Sequence, residues 1–200
     1  MARTESRIIR DQHASIAAML RSLSMMIERG PGDEPERFFD VLRAMLFYID
    51  EFPERQHHPT ETKYLFPRLL QVAPELSQVI DSLDSDHLQG EYKVRALQHQ
   101  LLAWELLGDS RRGAFETAAR EYVAFYLEHM RREEADLLPA AERLFTDADW
   151  VEVGAAFLAH VDPLGPDARD PAYDRLFTRI VLTAPAPIGV GPALARRVTA

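Results

Sequence analysis

The sequence predicts an all-α protein, an up-down four-helix bundle with a short extra C-terminal helical segment and an irregular tail. Apolar residues recur every three or four positions over four long segments, and no segment alternates as a strand would. The connections between these segments are short, and several carry glycine or proline. Long helices with short connections pack as antiparallel neighbours. We therefore expect a bundle over residues 1–146, followed by a helical extension and a Pro-rich tail over residues 147–200.

Helix start and stop signals place the four bundle helices at about residues 4–29, 33–70, 75–107 and 111–144. Pro35 suits the first turn of the second helix, because a helix leaves that backbone position without a hydrogen-bond partner in any case. Pro53 interrupts the same helix, and we expect a kink there rather than a change of direction. Beyond the bundle, shorter helices are expected at about residues 149–160 and 173–182, with irregular structure over the last fifteen residues.

Composition excludes several classes of site. The chain of 200 residues has no cysteine, so it has no disulfide, zinc–thiolate site, cysteine nucleophile or cysteine-held iron–sulfur cluster. Its net charge of -9 argues against nucleic-acid binding, which needs a local excess of Lys and Arg. No run approaches 18 apolar residues, and no apolar leader precedes a cleavage signal. We expect a cytoplasmic monomer or homodimer with no nucleic-acid or membrane partner.

The histidines are distributed in a pattern. Each predicted bundle helix carries at least one, and three of the seven have a glutamate four positions later: His57–Glu61, His87–Glu91 and His129–Glu133. With 17 glutamates in the chain, chance would give roughly 0.6 such pairs. On a helix this spacing puts both side chains on one face, one turn apart. An imidazole nitrogen and a carboxylate oxygen can then reach one metal ion, or two neighbouring ones.

Apolar residues flank these pairs, which indicates that the His–Glu faces point into the bundle. Buried imidazoles and carboxylates without partners cost several kcal/mol each, and a cation would compensate them. The set exceeds the four ligands of one tetrahedral zinc and suits two ions of higher coordination. Mixed nitrogen and oxygen ligands favour Fe, with Mn or Zn as substitutes, over Ca or Mg.

The arrangement resembles the hemerythrin-like family, the HHE cation-binding domain, over about residues 4–145. The motifs that carry the resemblance lie one per helix and in order: His13, His57–Glu61, His87 and His129–Glu133. Leu-Phe-Pro after the second motif and Leu-Leu-Pro after the fourth are also similar to the family. The resemblance implies a non-haem di-iron centre with two Fe ions, bridged by Glu61 and Glu133 and by an oxo or hydroxo group. The four histidines would be terminal ligands, and an open position would admit a small diatomic ligand or peroxide.

The sequence departs from oxygen-carrying members at Glu91, where those proteins place a second histidine. Glu91 is interpreted as either a ligand or an acceptor for a ligand histidine, and its charge is expected to favour the ferric state. His58 is interpreted as an outer partner of a ligand or as packing at the helix interface, and ligation is the less favoured alternative. Glu134 is expected to face solvent. Tyr122 is interpreted as core, as is Tyr126, although a tyrosine near the centre could donate a hydrogen bond to a bound oxygen species.

Three functions remain open at the level of sequence. The first is a di-iron protein that binds or senses O2, NO, peroxide or iron. The second is an enzyme built on the same centre, for peroxide or NO reduction or for iron-centre repair. The third is a metal-free helical interaction module. Metal content separates the third from the others, and turnover separates the first two.

Overall fold

Helices make up nearly all of the structure, a computed structural model that describes residues 4–159 and 174–191. Within these ranges there is no β-strand, and the only extended pairing is an isolated bridge between Pro185 and Gly191. The predicted all-α class is confirmed. In the same ranges, no helix combines the length and the apolar character that a bilayer-spanning segment needs.

Four long helical units form the bundle. The first bundle helix is α1 (Thr4–Arg29), and the third is α5 (Ser77–Leu107). The second bundle helix, residues 35–72, is made of five consecutive segments: α2 (Pro35–Ile49), π1 (Asp50–His57), α3 (His58–Thr60), π2 (Glu61–Leu65) and α4 (Phe66–Val72). The fourth bundle helix, residues 112–144, is made of three: α6 (Arg112–Arg132), π3 (Glu133–Leu137) and α7 (Leu138–Leu144). Single 3₁₀ turns at Pro74–Leu76 and Asp109–Arg111 lead into the third and fourth units.

Cross-helix contacts run in opposite chain directions, as an up-down bundle requires. Between the first and fourth bundle helices, Ser6 bonds to Glu142, whereas the later residue His13 lies against the earlier residue Glu134. Between the second and third, Arg43 pairs with Glu105 and Thr62 bonds to Asp84. The short connections enforce this antiparallel order.

Proline widens two of the bundle helices just after a glutamate. Pro67 has no N–H to donate to the carbonyl four residues earlier, and its ring crowds that carbonyl. The Phe66 N–H instead bonds to the carbonyl of Glu61, five residues back. The same happens before Pro139, where the Leu138 N–H bonds to the carbonyl of Glu133. Such π turns rotate the chain relative to an α-helix, and here they begin at two of the three glutamates that the sequence pairs with histidine.

The apolar core is divided into two clusters along the bundle. One lies between the middle of α1, α2, the second half of α5 and most of α6, and includes Leu23, Phe38 and Trp104. The other lies at the opposite end and includes Leu69 and Trp150. The predicted His–Glu motifs occupy positions between the two clusters on every bundle helix. Polar side chains therefore form a layer across the middle of a protein core, where water is excluded.

The extension also contributes to the core. Helix α8 (Asp147–Leu158) begins at a capping box formed by Thr146 and Asp149, and Trp150 and Phe157 on its inner face join the second cluster. A short helix, α9 (Asp174–Phe177), continues as π4 (Thr178–Leu182), and Ile180 joins the first cluster. Both expected extension helices thus occur, and the described part of the expected irregular tail, residues 186–191, has no helix. The division into two parts at residue 146 stays a prediction, and His160 and residues 192–200 lie outside the described ranges.

Candidate metal centre

Six of the predicted side chains converge between the two apolar clusters. We call them the His–Glu cluster: His13, His57, Glu61, His87, His129 and Glu133. All six are buried, with at most 8% of each side chain exposed. They come from all four bundle helices, so the fold rather than local sequence brings them together.

Each glutamate lies at the centre of three imidazoles. Around Glu61, the Nε2 atoms of His57, His13 and His87 lie 3.1, 3.5 and 3.4 Å from a carboxylate oxygen. Around Glu133, the Nε2 atoms of His129, His13 and His87 lie 3.3, 3.3 and 4.0 Å from a carboxylate oxygen. The Nε2 atoms of His87 and His129 are 3.1 Å apart. Two carboxylates placed among four imidazoles in this way provide a compact set of nitrogen and oxygen donors.

These donors are not satisfied by one another. Both oxygens of Glu61, both oxygens of Glu133 and the Nε2 atoms of His13 and His57 are buried without a hydrogen bond of acceptable geometry, although they are within reach of each other. Buried polar atoms normally have a partner, and each orphan carries a desolvation cost. Buried nitrogen and oxygen atoms that face one another without bonding are the arrangement expected around a metal ion.

The outer nitrogen of each imidazole is held by a different residue. The His57 Nδ1–H donates to Gln12 Oε1 at 2.8 Å, and the His87 Nδ1–H donates to the Thr62 hydroxyl at 3.0 Å, which in turn donates to Asp84. The other two Nδ1 partners are Glu134 for His13, at 3.1 Å, and Asp86 for His129, at 3.5 Å. An Nδ1–H held in this way leaves the Nε2 lone pair directed inward, which is how proteins orient metal-binding histidines.

Carboxylates raise the pKa of two of the histidines. Burial by itself lowers the pKa of His13, but the nearby carboxylates of Glu133 and Glu134 outweigh burial and hold that pKa well above its ordinary value. For His129, burial is likewise outweighed, by Glu133 and Asp86, and the pKa rises to about 10. Without a cation, protons on these two imidazoles balance the two glutamate charges.

The imidazoles keep the two glutamates ionised. Burial raises the pKa of Glu61, but the nearby imidazoles of His57 and His13 bring the pKa well below its ordinary value. Burial and repulsion from Glu61 raise the pKa of Glu133, and His129 together with His13 lowers it to about 2. Both carboxylates are therefore available as anionic ligands.

Glu91 does not belong to this cluster, and the interpretation that it is a ligand or an acceptor for a ligand histidine is wrong. Its side chain is 42% exposed and pairs with Arg95 on the outside of α5. The position that faces the core one turn beyond His87 is Gly90, which is buried. The expectation that a carboxylate at Glu91 favours the ferric state therefore loses its basis.

Two further expectations change. Glu134 does not simply face solvent, because its carboxylate accepts the Nδ1–H of His13.

The tyrosines are buried as expected, but both donate to one residue that the sequence analysis missed. Glu54 Oε1 accepts the hydroxyls of Tyr122 at 2.8 Å and Tyr126 at 2.7 Å. Burial raises the pKa of Glu54, although the two hydrogen bonds oppose this effect.

His58 is buried at the edge of the His–Glu cluster. Its ring stacks on His87, with centroids 4.5 Å apart, and on Tyr126, with centroids 5.0 Å apart. Its Nδ1 lies 3.3 Å from Glu54 Oε2. Burial, together with the neighbouring imidazoles of His87 and His129, lowers the pKa of His58 well below its ordinary value, so this imidazole is neutral.

A comparison with protein families agrees with this geometry. The model of the hemerythrin HHE cation-binding domain matches residues 4–141. The chain belongs to the hemerythrin HHE family. The resemblance seen in the sequence is confirmed, whereas a comparison with curated proteins found no match. Membership in a cation-binding family and a buried cluster of His and Glu donors together identify this hemerythrin HHE protein as a metal-binding helical protein.

Gly90 is predicted to be essential to the packing around the cluster. A Cβ at this position would overlap the Tyr126 hydroxyl and lie 2.9 Å from Glu54 Oε1. Gly90→Ala should therefore lower the free energy of unfolding by about 1–3 kcal/mol, the usual cost of overpacking. Gly113→Ala is the control, since a Cβ there meets nothing within 4 Å, and it should leave stability unchanged or slightly raised. Urea unfolding measures both, and equal stability of Gly90→Ala and the unmutated protein would contradict the packing argument.

Metal loading is predicted to release protons. A metal ion needs unprotonated imidazoles, but the raised pKa values of His13 and His129 keep these two protonated at pH 7. We expect about two protons released per chain, and an affinity that falls as the pH is lowered, because protons compete for the same nitrogens. Calorimetric titration with Zn²⁺ in buffers of different ionisation enthalpy gives the number directly. Metal binding with no proton release would show that these imidazoles are neutral or are not ligands.

Proposed function

We propose that this hemerythrin HHE protein holds a non-haem di-iron centre that binds or senses a small ligand, O2, NO or peroxide. One observation carries the proposal: four imidazoles and two carboxylates meet in a dry core with most of their metal-binding atoms unsatisfied and their outer nitrogens anchored. In this assignment Glu61 and Glu133 bridge the ions. The terminal ligands are His13, His57, His87 and His129.

The grouping of the donors supports two ions. Among the described residues, two sets of side chains bring their ligand atoms within 4.8 Å of one another: His13, His57 and Glu61 form the first, and His58, Glu61, His87 and His129 form the second. Glu61 belongs to both, which is the arrangement expected of a bridging carboxylate. Glu133 also spans the sets, since it lies against His13 on one side and His129 on the other.

The donor chemistry favours iron. Nitrogen and oxygen ligands without sulfur suit Fe, Mn and Zn, whereas Ca and Mg prefer shells made only of oxygen. Two carboxylates and at least four imidazoles exceed what one tetrahedral zinc takes. Iron in such a centre supplies redox chemistry and a binding position for a small oxygen or nitrogen species. Mn or Zn could substitute in the same ligand set.

The residues around the centre restrict what can bind. The ring of His57 packs edge-on against Phe157, with centroids 5.6 Å apart, and that of His87 stacks on Phe66 at 5.4 Å. Phe52 and Phe66 are likewise buried, and together with Phe157 they exclude water from the cluster. A dry site strengthens the electrostatic attraction between the glutamates and a cation. It also limits the ligand to a diatomic molecule or peroxide.

Replacing Glu61 tests the di-iron assignment. The unmutated protein, expressed with iron, should contain about two Fe per chain and absorb in the near-ultraviolet, and Glu61→Ala should lose at least one Fe because it removes a bridge. Glu91→Ala is a matched control, since this glutamate also follows a histidine by four positions but faces solvent. Metal analysis and absorption spectra give the answer. Two tightly bound ions in Glu61→Ala would show that Glu61 is not a bridge.

The metal-free alternative is tested on the same samples. An ion that binds only the folded chain raises its melting temperature. A purified protein that is fully folded without metal and melts at the same temperature after iron is added would leave only a helical interaction module.

Reaction with NO or peroxide separates binding from catalysis. The chain has no cysteine, so it has no thiol to return electrons to an oxidised centre. We therefore expect the reduced protein to react once per centre, as followed by absorption after mixing with NO or peroxide. The iron-depleted Glu61→Ala protein serves as the control. Repeated consumption of peroxide or NO by a catalytic amount of protein would instead establish the enzymatic alternative.

A further inference from the structure

The third bundle helix provides the His–Glu cluster with only one donor. His87 faces inward, but the next inward position on α5 is Gly90, and Glu91 points to solvent and pairs with Arg95. The other three bundle helices bring His13, the pair His57 and Glu61, and the pair His129 and Glu133. A centre built from these residues alone has two nitrogen donors on the His87 side, the Nε2 atoms of His87 and His129, which lie 3.1 Å apart.

His58 lies at this side of the cluster, although it comes from the second bundle helix. One of its ring nitrogens is within 4.8 Å of ligand atoms of Glu61, His87 and His129. Its centroid lies 5.6 Å from that of His129. Its ring stacks on that of His87 with a 10° angle between the planes, so the two rings must turn relative to each other before both lone pairs point at one ion. The side chain is 3% exposed, so this nitrogen faces the cluster rather than water.

The opposite nitrogen of His58 is anchored as in the four cluster histidines. The Nδ1–H donates to Glu54 Oε2 at 3.3 Å, which leaves the Nε2 lone pair for another partner. Glu54 is itself held by the hydroxyls of Tyr122 and Tyr126 on its other oxygen. A carboxylate that fixes the tautomer and direction of an imidazole is a common support for a metal ligand. A histidine that only filled space would not need a buried carboxylate, which costs free energy to bury.

We propose that His58 is a fifth histidine ligand, which binds the same ion as His87, His129 and Glu61. The third bundle helix provides one donor on this side, His87, and the second bundle helix provides a further one in His58, one residue after His57. Glu54 is the positioning residue, because it directs His58 through Nδ1 without touching the ion. This assignment rests on the proposed di-metal centre and specifies the composition of one of its two halves.

Substitution by phenylalanine separates ligation from stacking. His58→Phe keeps a flat ring against His87 and Tyr126 but has no nitrogen. Co²⁺ titration of the unmutated chain should show two ions bound, whereas His58→Phe should bind one of them at least about tenfold more weakly and give an altered visible Co²⁺ spectrum. His99→Ala is the control, since His99 is exposed on α5 and lies outside the cluster. It should bind both ions as the unmutated chain does.

Chemical rescue gives a second, independent measurement. His58→Ala removes the ring and should weaken the same Co²⁺ ion, and free imidazole should restore the affinity by occupying the space that the ring leaves. Thermal melting followed by circular dichroism identifies a variant that fails to fold. The variant that does fold, His58→Phe or His58→Ala, then tests whether His58 binds the ion. Glu54→Gln should weaken the same ion by about 10–100-fold, because Nδ1 loses its charged acceptor.

The outcomes distinguish this assignment from the proposed function. If the unmutated chain binds two Co²⁺ ions and folded His58→Phe binds both with unchanged affinity and spectrum, His58 only packs and the assignment is wrong. If the unmutated chain binds no Co²⁺, both the centre and the assignment are wrong. Loss of one ion in His58→Phe with retention in His99→Ala supports both.

Discussion

The burial of two carboxylates is the constraint on which the rest of this structure depends. Glu61 and Glu133 lie in the middle of the bundle without hydrogen bonds, where an uncompensated charge costs several kcal/mol. The surrounding imidazoles offset that cost by carrying protons or by sharing a cation. The residues behind them, such as Gln12 and Thr62, follow from the same need, because an imidazole directed inward must donate its other N–H to a fixed acceptor. An apolar core of equal volume would need none of these contacts.

The sequence predicts the bundle and most of the cluster because both depend on helical spacing. It fails at Glu91 for a geometric reason. A residue four positions along a helix is turned by about 40° from the first, so spacing alone does not tell which of positions i+3 and i+4 faces inward. On α5 the buried positions run from His87 to Gly90 and Val94, which leaves Glu91 outside. The apolar residue Val94 indicates which face of α5 points inward, but the repeated His–Glu motif suggests that Glu91 lies on that face.

The sequence does not predict two other features, the widened turns and the role of Glu54. The segments 57–67 and 129–139 share one pattern, a histidine followed by glutamate after four positions and proline after ten. The prolines are visible in the sequence, but the widened turns that begin at each glutamate depend on how the backbone relaxes around a missing N–H. Glu54 was missed because its partners, Tyr122 and Tyr126, lie on another helix, and contacts so distant in sequence leave no local pattern.

Helix α8 has a consequence for how relatives of this protein should be compared. The family match ends at residue 141, yet Phe157 covers His57 and its carbonyl accepts a hydrogen bond from Gln12, the residue that anchors the same imidazole. Helix α8, which lies beyond the family match, thus helps to shield the His–Glu cluster from water. Two proteins with identical bundles but different sequences after residue 146 would admit water and oxidants to the His–Glu cluster at different rates, and a comparison of motifs alone would rate them as equivalent.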